Sequence, residues 1–169
     1  YYLLTQDVAY ASYGLDDTTA VQYGGQTYTC RVIYRADGLF SSGGGLTAAG
    51  GLLSGRAYPA EGVTVFVEGG TFHNQHENNY TALSGPNLAI VGLTDPSGDN
   101  PAVFTKAPRA AANPGLERYL IHESNIRYEN LVFDGQNNGM SSASSRGHYF
   151  ISVSAGDKPF YMKNCMLKI

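Results

Sequence analysis

Tryptophan is absent from the 169 residues, and charged side chains make up only 15% of them, against roughly 25% in an average soluble protein. The formal net charge is −3 and Lys and Arg are scattered, so the basic patch that marks a nucleic-acid partner is missing. No run approaches the roughly 18–20 apolar residues of a membrane-crossing helix. Cysteine is limited to Cys30 and Cys165, too few for a disulfide framework and no guide to redox compartment. The chain also lacks a Gly-x-Ser-x-Gly elbow, a phosphate-cradling Gly-rich loop ending in Lys, and a Cys–His pair at fixed spacing. What is plentiful is 21 Gly and 13 Tyr. That balance suits a turn-rich, all-β chain of one domain, long enough to bury a core.

The strongest pattern is a repeated line near the end. Residues 126–133 read I-R-Y-E-N-L-V-F and residues 160–167 read F-Y-M-K-N-C-M-L. Apolar residues fall at places one, three, six and eight of both, and Asn130 and Asn164 share the fifth place. A weaker copy, L-A-I-V-G-L at 88–93, puts Gly92 there. The spacings between copies lie within the roughly 20–50 residues of solenoid repeats. An alternation of period two, ended by a turn residue at a fixed offset, describes one short strand per coil. Stacked coils would set Asn130 above Asn164, where side-chain amides bond along the stack. Cys165 takes an inward place in this pattern, as Leu131 does one copy earlier.

Along the chain, residues 1–29 read as a separate Tyr-rich strand segment with a hairpin turn at Gly24-Gly25, and residues 30–169 as the solenoid domain. Strands are expected at Cys30–Arg35, Val63–Glu68, Tyr80–Leu83, Leu88–Leu93, Val103–Lys106, Tyr119–His122, Ile126–Phe133, Tyr149–Val153 and Phe160–Ile169. Leu46, Ala49, Leu52 and Leu53 supply one face of a short helix over 46–53. About five rungs follow, starting near Arg31, Val63, Leu88, Ile126 and Phe160.

From about Arg31 to Ile169 the chain resembles the right-handed parallel β-helix proteins of the pectin-lyase-like superfamily. The resemblance rests on a strand running into Asp37-Gly38, the small-residue helix at 46–53, V-T-V-F-V-E-G-G-T-F, and Y-L-I-H-E-S-N-I-R-Y-E-N-L-V-F-D-G followed by F-Y-M-K-N-C-M-L. It implies an all-β, right-handed parallel β-helix whose short N-terminal helix caps the first coil, with Asn130 and Asn164 at the turn between strands. It does not imply one activity, because this architecture carries lyases, hydrolases, spikes and adhesins.

Lyases of this kind pair a Lys or Arg base with cations that stabilise an enolate. The basic side chains here are Lys106, Arg109, Arg118, Arg127 and Lys163. Arg127 and Lys163 stand at outward places and form, with Glu129, a charged stripe on an exterior face. None matches a family catalytic motif, so no catalytic residue is assigned. His73, His76 and Glu77 offer metal ligands in a loop, with His122 as a third site from elsewhere, but not at the spacing of helical zinc motifs. Asp95 and Asp99 carry oxygen ligands suited to Ca²⁺ without the terminal Glu of an EF-hand. Tyr80, Tyr119 and Tyr149, near strand starts, are the candidates for stacking on sugar rings. Asn79-Tyr80-Thr81 has the form of an N-glycosylation sequon.

Five rungs make a short groove, and the last strand has no capping element after it. An uncapped rung presents unpaired backbone groups and open core. The sequence therefore leans away from a self-contained enzyme and toward an extracellular or cell-surface structural or adhesive module. Such a module associates end to end, residues 1–29 of one chain pairing with the open rung of the next. The alternative is the N-terminal part of a carbohydrate-active enzyme, a polysaccharide lyase or glycoside hydrolase, or a glycan-binding β-helix. The expected partners are itself or a polysaccharide, with no nucleic acid and no membrane span. No cofactor is required, and Ca²⁺ is the one ion considered.

Overall fold

The computed structural model describes residues 1–6, 17–34, 53, 56–74, 81–82, 87–106, 119–122, 126–134, 151–154 and 159–168. Among them there are fourteen strands and no helix. These are β1 (Tyr2–Thr5), β2 (Thr18–Tyr23), β3 (Gln26–Tyr34), β4 (Val63–Val67), β5 (Gly70–Asn74), β6 (Thr81–Ala82) and β7 (Leu88–Gly92). They continue as β8 (Ala102–Lys106), β9 (Tyr119–His122), β10 (Ile126–Glu129), β11 (Leu131–Asp134), β12 (Ile151–Ser154), β13 (Phe160–Lys163) and β14 (Met166–Lys168). The chain is all-β in this sense. The helix expected over 46–53 lies outside the described residues except for Leu53, which is buried in the main core.

Three sheets share out the strands. The first runs β13-β10-β7-β4-β1-β3-β2, the second β14-β11-β8-β5 and the third β12-β9-β6. From β4 onward the chain visits first, second and third sheet in turn and then begins again, and every pairing it makes is parallel. Neighbours in each sheet thus come from successive circuits. The repeated line of the sequence is this circuit: Ile126 pairs with Phe160 and Tyr128 with Met162.

Inward places stack into columns. Val65, Ile90 and Tyr128 are aligned by register and fully buried. In the second sheet Phe72, Phe104 and Phe133 form another column, with ring centroids 5.8 and 5.9 Å apart. Tyr128 meets Phe133 edge-on at 5.6 Å, tying the first sheet to the second across the core.

The turn between first and second sheets is a single residue in the third circuit. Asn130 has φ 55° and Asn164 φ 49°, the left-handed region that Asn tolerates better than other side chains. The expected ladder is present: the Asn164 amide donates to Asn130 Oδ1 at 2.8 Å, and the Asn130 amide donates to the Gly92 carbonyl at 3.2 Å. Gly92 stands in this column for a different reason. A Cβ built there would lie 2.0 Å from the Asn130 carbonyl oxygen, so the residue is small because backbone presses on it.

Of residues 1–29, the structure describes 1–6 and 17–29. A boundary at 29/30 falls inside β3, and β1 is hydrogen-bonded on both sides, to β3 and to β4. The first sheet therefore holds six parallel strands, where five rungs were expected; β1 is the addition, and β2 closes that end antiparallel. The Gly24-Gly25 turn is as expected, with φ 57° and 78°, the conformation a two-residue type I′ hairpin requires.

Candidate functional site

The hairpin β2–β3 extends beyond β1, whose pairing starts at Tyr2 opposite Arg31, and it curls over the outward face of the first sheet. One face of the hairpin carries Val21 and Tyr23 from β2 and Tyr28 and Cys30 from β3. These pack on the outward residues Leu3, Phe66 and Val91 as a second core. The Phe66 ring lies 5.0 Å from Tyr28 and 5.4 Å from Tyr23. This explains why V-T-V-F-V and L-A-I-V-G are apolar on both sides: both faces of these strands are covered.

At the far end of this cover sits Glu129. It was expected on a solvated stripe, but it is 5% exposed. Its carboxylate accepts from Arg127 Nη2 at 2.6 Å and from Lys163 Nζ at 2.8 Å, and Tyr23 of the hairpin is a neighbour on its covered side. Burial alone would push this carboxyl up. The Lys163 hydrogen bond, the neighbouring Tyr23 hydroxyl and the charges of Arg127 and Lys163 outweigh burial and leave it below its ordinary pKa. Burial and the neighbouring Glu129 carboxylate raise the Tyr23 phenol, while the Arg127 charge and the nearby Asn130 amide oppose them. Arg127, Glu129 and Lys163 thus do come together at outward places, as the sequence indicates. Tyr23 is the member that sequence reasoning missed.

The corner beside this cluster carries the loop 93–100. Asp95 Oδ1 accepts from the Ser97 amide at 2.9 Å and the Ser97 hydroxyl at 2.6 Å, and Oδ2 accepts from the Asn164 amide at 2.8 Å. The Ser97 hydroxyl and amide, with Asn164, hold this carboxyl below its ordinary pKa. Asp95 is thereby a turn-forming and ladder-capping residue, and Asp99 is exposed. Among the described residues no three His, Cys, Asp or Glu side chains gather as a metal site.

The remaining candidates are placed by backbone or not at all. His73 lies in β5 of the second sheet and His122 in β9 of the third, so the two belong to different walls. Tyr119 begins β9, in register with Thr81 and Ile151, and Lys106 ends β8. His76, Glu77, Asn79, Tyr80, Arg109, Arg118 and Tyr149 lie outside the described residues. Cys30 and Cys165 are both unbridged. Cys165 is half-buried against the main core, Cys30 is in the second core, and burial raises both thiols.

A groove of about 480 Å³ opens where β1 and β4 begin, beside Arg31 in the middle of β3, and Tyr1, Tyr2, Arg31, Arg56 and Glu61 are among its lining. Its size falls in the range of small-ligand sites, roughly 300–1,000 Å³. Among the described residues no helix is long and apolar enough to cross a membrane. Compared with family models, curated proteins and solved structures, the chain matches none of them.

Proposed function

We propose that these strands are rungs of a right-handed parallel β-helix of the pectin-lyase-like kind. In this reading the molecule is an extracellular or cell-surface structural or adhesive module that associates end to end. The observation that carries the reading is the state of the last rung. Met162 is aligned with Tyr128, and Leu167 with Phe133. The earlier pair is fully buried, whereas Met162 is 36% and Leu167 59% exposed. β13 and β14 are also the end strands of their sheets. A surface with core side chains and a row of edge N–H and C=O groups is a template for another strand layer. Among the described residues of 1–29, β1 is already paired on both sides and β2 stands at the edge of the sheet.

The reading predicts a mass above that of the monomer at micromolar concentration. Changing both Met162 and Leu167 to Asp should return the protein to monomer with its β-sheet circular dichroism intact, as sedimentation equilibrium would measure. An unchanged assembly in that double variant would remove the last rung as the contact.

A second reading, glycan binding, is favoured by the groove, whose lining includes Arg31 and Arg56 with Tyr1 and Tyr2. It predicts retention on an acidic-polysaccharide column that Arg56→Ala weakens, without turnover. Wild-type protein that passes the column unretarded would count against it.

A further inference from the structure

Charge is divided unevenly along the chain. Residues 158–169, which supply β13 and β14, contain three Lys and no Asp or Glu. Residues 1–29 contain three Asp and no Lys or Arg. Over residues 1–62, all that precedes β4, there are five Asp or Glu against three Arg. A chain of formal net charge −3 thus has a cationic last rung and an acidic leading segment.

These two segments stand at opposite ends of the first sheet, β13 at one and β2 at the other. At the β13 end Lys163 and Lys168 are exposed beside the exposed Met162 and Leu167. Lys163 and Arg127 share the single Glu129 carboxylate, so that cluster keeps a surplus of positive charge, to which Lys168 adds. At the other end the start of β2 runs along the sheet. The Asp17 carbonyl accepts the Val32 amide at 3.0 Å, and Thr18 pairs with Arg31, in the part of β3 that β1 also holds. Asp17 and Thr18 are both exposed. Arg31, Arg56 and Glu61 line the groove at this end, where acids still outnumber bases across residues 1–62.

We propose that copies of this chain join head to tail, the lysine-bearing last rung of one docking on the acidic β2 end of the next. This orientation rests on the end-to-end association proposed for the molecule, and it specifies which end meets which. Opposite charge favours the β13 end meeting the β2 end, and like charge opposes either end meeting its own kind. Met162 and Leu167 supply apolar area to the contact, while the charges choose the partner surface. Exposed ion pairs are individually weak and screened by salt, so the charges act on orientation more than on tightness. A contact between two different surfaces is heterologous, and it propagates into a filament unless its rotation closes a ring.

Two charge reversals and their mixture test this orientation. Lys168→Glu places an acid on the last rung, and Asp17→Lys places a base at the opposite end; both positions are exposed. Each variant alone should associate roughly fivefold more weakly than the parent in low salt, measured by sedimentation velocity. An equimolar mixture should recover most of the loss, because the altered last rung of one variant meets the altered end of the other. If Asp17→Lys does not fold, Lys168→Glu decides through salt: its association should depend less on ionic strength than the parent's, and equal dependence would overturn the orientation. A parent that associates while neither reversal weakens it, or a mixture no stronger than either variant alone, would overturn head-to-tail docking and leave end-to-end association standing. Asp17→Lys associating like the parent while Lys168→Glu does not would overturn it too, because the last rung would then meet its own kind. A parent that stays monomeric at every concentration and salt would instead remove the association itself, and the orientation with it.

Discussion

Phe104→Ala is expected to destabilise the fold by about 3–5 kcal/mol, the cost of deleting a buried aromatic side chain from a packed core. The ring is 0% exposed and is the middle member of the column Phe72–Phe104–Phe133, touching one ring on each side. Removing it leaves a hole that the circuits above and below cannot both fill, because each is fixed by its own ladder of parallel pairs. Leu167 belongs to the same column, opposite Phe133, but is 59% exposed. In dilute monomer Leu167→Ala should cost well under about 1 kcal/mol. Urea unfolding followed by circular dichroism measures both. Similar losses for the two variants would mean that the last rung is as enclosed as the middle one.

The second large effect is expected at Gly92. Any side chain there places its Cβ 2.0 Å from the Asn130 carbonyl oxygen and 3.0 Å from its carbonyl carbon. Both atoms are backbone, so a rotamer change cannot relieve the contact. Gly92→Ala must push the turn of the next circuit outward, which also strains the Asn130–Gly92 and Asn164–Asn130 hydrogen bonds. Overpacking of this kind costs up to about 3 kcal/mol, or a fall in melting temperature of roughly 6–12 °C for a chain of this size. Gly92→Ala melting with the wild type would show that the two circuits are not stacked at this corner.

Much of this was legible in the sequence because period two leaves a plain trace. The repeated line at 126–133 and 160–167 located β10, β11, β13 and β14, and it set Tyr128 inward and Asn130 over Asn164. Gly92 was aligned correctly in the column, although its reason, crowding by Asn130, is a distance between circuits that no single line of sequence contains. The insertion of β1 between β3 and β4 was not legible. Tyr2–Thr5 is a short apolar strand, and which neighbours it joins depends on pairing across more than twenty residues on one side and sixty on the other.

The site was harder still. Arg127, Glu129 and Lys163 were placed on one outward face by counting. Whether that face is wet depends on what lies over it, and the cover is a hairpin from the other end of the sheet. A signal for that cover does exist in the chain. Leu3, Phe66 and Val91 are apolar at outward places, where a solvated sheet would alternate to polar. Val21 and Tyr23 of β2 share one side of the hairpin with Tyr28 and Cys30 of β3. Reading those two facts together points to one covering the other, and Tyr23 then becomes the residue to watch at the tip.

The most direct test of the account is the mass and shape of the purified protein as concentration is raised, by light scattering and electron microscopy. The account predicts growth from an 18.1 kDa monomer into regular end-to-end particles. Their axial repeat should correspond to six parallel strands of the first sheet at roughly 4.7–4.9 Å each, plus the closing hairpin. A monodisperse monomer at every concentration would contradict it.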